Sequence, residues 1–241
     1  MMVVAVLLAA TVPDAAVAPA PPFQARLQDT ASIVAWPLSL DLRSAPAVVA
    51  IAAGALLLPH DVRLYRFFDR NVRWTIRRQS VFDLTAHLGD GLFDLAVVGA
   101  FALGDARARR TSIEGVEALI SVAATSVVLK HVFRVARPST DPERKTYFGH
   151  FDHDAFPSGH TMSAFATATV VAAEYPGAAP YAYAAASLVA VSVMKRRWHW
   201  PSDVIAGGAL GYLIGRTSIA VNARHFSVAP IPAGISLAGD L

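Results

Sequence analysis

Phe156-Pro157-Ser158-Gly159-His160 decides how this chain is read. The stretch joins a short turn to Thr161–Tyr175, an apolar run rich in small residues. Serine is a good N-cap, and glycine lets a backbone approach a ligand closely. Free amide groups at such a helix start make an anion site. A histidine in the first turn then stands where it can donate a proton to a leaving oxygen. The plain alternative is an ordinary cap followed by a histidine without a task.

The flanks sharpen the reading. Upstream, Lys130 and Arg137 are seven residues apart, a spacing that predicts one shared helix face. Pro138 restricts Arg137 and predicts the helix end there. Such a pair can hold a phosphate, arginine by two-pronged contact and lysine as a point charge. Basic residues also flank helix ends for dipole or membrane-surface reasons. Downstream comes His199-Trp200-Pro201-Ser202-Asp203. Pro201 and Asp203 are routine helix-start residues. The sharper reading has Asp203 accept a hydrogen bond from one nitrogen of His199, leaving the other as a nucleophile. Trp200 is expected to pack at an interface. Taken as one ordered set, these pieces point to hydrolysis of a phosphate ester through a covalent phosphohistidine.

Lys-x6-Arg-Pro, Pro-Ser-Gly-His and His-x3-Asp, in this order, resemble the type 2 phosphatidic acid phosphatase superfamily. That group also includes class A acid phosphatases and vanadium haloperoxidases. The resemblance covers about Leu92 to Gly215. It implies an all-α, membrane-embedded bundle of about six helices, phosphatase type 2 / haloperoxidase-like, with the motifs meeting at one end. It also implies roles: His199 as nucleophile, Asp203 orienting it, and His160 as general acid. Lys130, Arg137, Ser158 and Gly159 are implied to bind the phosphoryl oxygens, with no metal and no cofactor. One position departs from the pattern. The family places an arginine six residues before the nucleophilic histidine, and here Val193 stands there. Arg196 and Arg197 lie three and four residues further on, close to the same helical face. One of them, with Arg197 the candidate, is expected to bind phosphate in its place.

Composition sets the surroundings. The 241 residues are 54% hydrophobic and only 16% charged, with a mean hydropathy of +0.43. Soluble domains carry about 25% charged residues, so the deficit favours a membrane protein. A net charge of +3 is too small to argue for nucleic acid. The absence of cysteine excludes disulfides, cysteine-ligated metals and thiol nucleophiles. Apolar segments run roughly Ala45–Leu58, Leu92–Leu103, Val116–Val135, Thr161–Tyr175, Ala178–Met194 and Val204–Val221. Several fall short of the roughly 20 residues of a membrane span, so a soluble helical fold stands as the alternative. Arg107, Arg109 and Arg110 are expected to mark a connection between segments.

The chain divides into a signal-peptide-like or anchoring stretch, 1–22, and N-terminal helices, 23–90. A phosphatase core, 91–223, and a tail, 224–241, follow. Within the N-terminal part, arginines from Arg63 to Arg78 alternate with aromatic and aliphatic residues. This predicts an amphipathic helix at a membrane interface or a solvated helix packed on the domain. The loop Gly149-His150-Phe151-Asp152-His153-Asp154 looks like a metal cluster but is expected to shape substrate access instead. The leading expectation is a phosphatase of the bilayer acting on a lipid phosphate or diphosphate. It lies in a bacterial-type inner membrane as a multi-pass protein, with no nucleic-acid partner. The resemblance implies an outward-facing site, whereas the positive-inside rule taken literally makes that face cytoplasmic. The alternatives are a soluble exported acid phosphatase, a vanadate-dependent haloperoxidase, and a weakened or non-catalytic relative in which Val193 has cost the activity.

Overall fold

A computed structural model describes residues 28, 31, 58–71, 84–143 and 145–223, and the backbone of 226–231 and 234–239. The expected signal-like stretch, the segment Ala45–57 and the arginines at 73, 77 and 78 lie outside the described residues. Six α-helices are described: α1 (Asp61–Asn71), α2 (Gly91–Ala100), α3 (Ala106–Phe133), α4 (Gly159–Glu174), α5 (Ala179–Lys195) and α6 (Pro201–Asn222). The helical bundle expected from the sequence is therefore the fold. After it, β1 (Phe226–Ile231) and β2 (Gly234–Gly239) form an antiparallel hairpin, with Phe226 opposite Gly239. Secondary structure in this tail was not legible beforehand.

Helix boundaries follow local chemistry, and two differ from expectation. Arg107, Arg109 and Arg110 do not mark a connection. They form the first turns of α3, because Asp105 caps that helix by accepting from the Ala108 amide at 2.9 Å. At the other end α3 stops at Phe133, well before Pro138. Arg134 takes a left-handed conformation (φ 42°) and its amide closes on the Lys130 carbonyl. Arg137 therefore lies beyond the helix, and Lys130 and Arg137 do not share a helix face.

Helix α4 is central and packs against α3, α5 and α6. One apolar cluster joins α3, α4 and α6 through Val122, Met162, Val170 and Ile214. A second joins α4, α5 and α6 through Ala164, Ala168, Val189, Val193 and Val204. Small residues let the backbones touch, as expected where membrane helices pack. A Cβ on Gly211 would stand 2.1 Å from the Met162 carbonyl oxygen. A Cβ on Gly207 would stand 2.6 Å from that of Ser158.

The stretches Ala106–Phe133, Pro176–Lys195 and Pro201–Asn222 are long and apolar enough to cross a membrane. The chain is read as a membrane protein on that ground. Two of the buried carboxylates inside α3 have partners. Arg110 donates to Glu114 at 2.8 Å, and Asn222 donates to Glu117 at 2.5 Å.

The crossing of α4 and α6 gives a direct check. Gly211→Ala is expected to lose stability on the scale of overpacking, about 1–3 kcal/mol, in thermal unfolding of the detergent-solubilised protein. Gly208→Ala, whose added carbon would meet only the Phe165 ring at 3.5 Å, is expected to melt at or above the wild-type temperature.

Candidate active site

The sequence motifs meet at one end of the bundle, tied together by backbone. The Ser158 amide donates to the Asp203 carbonyl at 3.0 Å, which fixes the serine-glycine turn to the first turn of α6. The Ala155 amide donates to Val135, and the Ser139 amide to Arg197. The Trp200 indole donates to the Ala136 carbonyl at 2.7 Å. Trp200 is fully buried and meets Tyr65 of α1 edge-on at 5.4 Å. It is thus a peg between motifs and not an interface residue as expected.

Ser158 caps α4 as expected. Its hydroxyl faces the Thr161 amide at 3.4 Å and the Thr161 hydroxyl at 2.9 Å, and the residue is fully buried. The next residue, Gly159, lies against the end of α3, where a Cβ would come within 3.9 Å of the Lys130 ammonium. His160 follows in the first turn of α4, and its ring centre is 6.4 Å from that of His199.

His199 is 1% exposed. Its Nδ1 lies 2.7 Å from the Ala155 carbonyl, an atom that can only accept, so Nδ1 carries the proton and Nε2 is the free nitrogen. This corrects the expected wiring. Asp203 Oδ2 stands 3.9 Å from His199 Nδ1, near enough to act as a charge but too far for a hydrogen bond. Instead that oxygen accepts the Trp200 amide at 2.8 Å, and Oδ1 accepts from Lys145 at 2.8 Å. The reason is local: at the third position of α6, Asp203 caps its own helix start. Burial, then the charges of Arg137 and Lys130, push the His199 ring well below the ordinary histidine pKa.

Lys130 and Arg137 converge, though not from one helix. Arg137 grips Asp154 by two parallel bonds of 2.6 and 2.7 Å, and Lys130 stands 3.8 Å from the same carboxylate. Burial alone would raise the Asp154 carboxyl. The bonds and charge of Arg137, with Lys130, outweigh it and hold the group below its ordinary value. Asp154 belongs to the loop expected only to shape access. Among the described residues no group of three His, Cys, Asp or Glu is placed to hold a metal ion.

Lys145, Asp61 and Ser202 also carry the site, and nothing in the sequence singled them out. Lys145 donates to Asp61 at 2.7 Å and to the Ser202 hydroxyl at 2.7 Å, besides Asp203. Burial would lower its pKa, but the two carboxylates raise it on balance. Val193 is fully buried in the apolar cluster of α4, α5 and α6. Of its candidate replacements, Arg197 (φ 61°) turns to Asp69 of α1 at 3.4 Å and is half-exposed. Arg196 lies over the Trp198 ring at 4.1 Å, and that ring is 5.3 Å from His160.

Residues 114–226 match the family model of the PAP2 superfamily. The lipid A 1-phosphatase of Porphyromonas gingivalis is 41% identical over 66 residues, 26% of this chain and 15% of that protein. The chain thus matches only a small part of that relative's length. A crystal structure of a transmembrane PAP2 type phosphatidylglycerolphosphate phosphatase from Bacillus subtilis is 17% identical. It aligns over 83% of this chain and 96% of its own, with a TM-score of 0.43.

The buried imidazole carries a pH signature. A histidine held neutral in the fold binds fewer protons than the same residue in the unfolded chain. Stability contributed by His199 is therefore whole above the unfolded value of about 6.5 and falls as pH drops below it. Wild type is expected to lose more melting temperature between about pH 7.5 and pH 5 than His199→Gln does; parallel curves would contradict this.

Proposed function

We propose that the chain hydrolyses a phosphate monoester or diphosphate on a membrane lipid, through a phosphohistidine and without metal. The observation that carries this reading is the buried His199, its Nδ1 proton committed to Ala155, its Nε2 free and a second imidazole and two cations beside it. In the proposed reaction Nε2 forms a bond to phosphorus while the ester oxygen–phosphorus bond breaks. His160 gives its proton to the leaving oxygen. Water, deprotonated by the now neutral His160, then displaces the phosphoryl group from nitrogen and releases phosphate. Lys130, Arg137, Gly159 and the amides behind Ser158 hold the phosphoryl oxygens. The Ser158 hydroxyl itself serves the helix cap. Asp203 supports His199 as a nearby charge.

Two further observations favour a lipid. The site sits at the end of helices able to cross a bilayer. Starting one turn further along α4 than His160, at Ala164, a largely apolar cavity of about 360 Å³ lies between α2, α4 and α5, lined among others by Leu88, Val97, Val171, Tyr181 and Val189. That cavity suits a hydrocarbon chain attached to the phosphate. The similarity to a lipid A 1-phosphatase points the same way. We place the protein in the inner membrane with the site facing outward; an impermeant thiol reagent that labels a cysteine introduced at exposed Phe151 only in broken cells would reverse that orientation.

His199→Ala is expected to abolish phosphate release from a panel of lipid phosphates. His160→Ala is expected to lower it by about 10²–10⁴-fold. Activity is expected to survive EDTA and to be inhibited by vanadate. Chelator-sensitive activity restored by a divalent ion would overturn the metal-free chemistry.

The missing arginine of the pattern is proposed to be supplied by Arg196, in preference to Arg197. Removing one well-placed oxyanion donor costs about 2.7–4 kcal/mol. Arg196→Ala is therefore expected to lower the rate by that order, and Arg197→Ala far less. Val193→Arg is expected to unfold the protein at a lower temperature without raising turnover, because it drives a charge into an apolar cluster.

A further inference from the structure

We infer that Asp61 and Lys145 are positioning residues of the catalytic centre, so that α1 completes a site whose family match, residues 114–226, does not include it. The inference rests on the phosphatase reading above. Lys145 side-chain exposure is 4%, and Asp61 and Asp203 are fully buried. One ammonium thus serves two carboxylates, bridging Asp61 at 2.7 Å and Asp203 at 2.8 Å. Asp61 adds a second tie, accepting the Ser202 amide at 2.8 Å and the Ser202 hydroxyl. Every oxygen of both carboxylates has a partner.

Stability gives little reason for this arrangement. Well-packed apolar residues often do as well as a buried ion pair, whereas removing one partner is strongly destabilising. Location gives the reason. Asp203 Oδ1 is pinned by Lys145 and Oδ2 by the Trp200 amide, which leaves the carboxylate one orientation, 3.9 Å from His199 Nδ1. When Nε2 takes the phosphoryl group the ring becomes cationic, and a fixed negative charge at that distance stabilises it. A fixed charge needs no reorganisation during the reaction. Lys145 holds that charge in place, and Asp61 holds both Lys145 and the first turn of α6. Neither touches the phosphate, so both act on turnover and not on substrate binding.

The test uses the purified full chain in detergent, with Asp61→Asn, Lys145→Met and the double variant. Phosphate release gives kcat and KM, orthovanadate affinity reports the site independently, and thermal unfolding reports the fold. Lys145→Met is expected to lower kcat by about tenfold or more with KM changed by less than about twofold. The double variant removes one charge of each sign, so it is expected to melt close to wild type, keep the low kcat and bind vanadate correspondingly weakly. It carries the test if Lys145→Met fails to fold. A double variant that melts, turns over and binds vanadate like wild type overturns the inference, as does a loss confined to KM. A wild type that releases no phosphate overturns the phosphatase reading instead, and vanadate affinity across the variants then judges the positioning role.

Discussion

The bond from His199 Nδ1 to the Ala155 carbonyl, 2.7 Å long inside a closed environment, is the constraint on which the rest of the site depends. It settles which nitrogen carries the proton, because a carbonyl cannot donate. It settles which nitrogen is free. It requires the turn before Ser158 to approach α6 closely, and the Ser158 amide on the Asp203 carbonyl supplies that approach. The same approach is possible only because Gly207 has no Cβ to meet the Ser158 carbonyl. One bond to one imidazole thus links the choice of glycine in a helix interior to the chemistry at its end.

Charge around that histidine is arranged in two groups. On one side Lys130 and Arg137 share Asp154, a cluster with excess positive charge, open enough that these side chains remain part-exposed. On the other side Asp61, Lys145 and Asp203 form a closed cluster with excess negative charge. His199 lies between them. An anion is drawn to the first group, and a cation formed on the imidazole is balanced by the second. In the proposed reaction both charges develop in the same step, so a site polarised in advance stabilises it more than either group alone.

Much of this was legible in the sequence, and the reasons for the rest are physical. Helices α2 to α6 showed through as apolar runs, and the cap at Ser158 showed through its residue type, because both signals are local. The end of α3 was misplaced because Pro138 gave a visible stop while the true one, Arg134 in a left-handed conformation, has no signal in an arginine. The partner of His199 was misassigned because a spacing of four predicts proximity, and proximity is what is found. Which of two acceptors wins is decided by a carbonyl 44 residues away. Lys145 and Asp61 were invisible for the same reason: their meaning arises from a contact spanning 84 residues. Asp154 stood in a loop set aside once a metal site was discounted. Its role is electrostatic, and pattern reading had no way to pair it with Arg137.

The most direct measurement is the chemical fate of His199 during turnover. Enzyme mixed with labelled lipid phosphate, stopped in alkali within milliseconds and digested, is expected to yield one acid-labile, alkali-stable phosphopeptide, containing His199 and modified at Nε2. A phosphopeptide that maps to another residue, or steady turnover with no trapped phosphoenzyme at any time, would contradict the account.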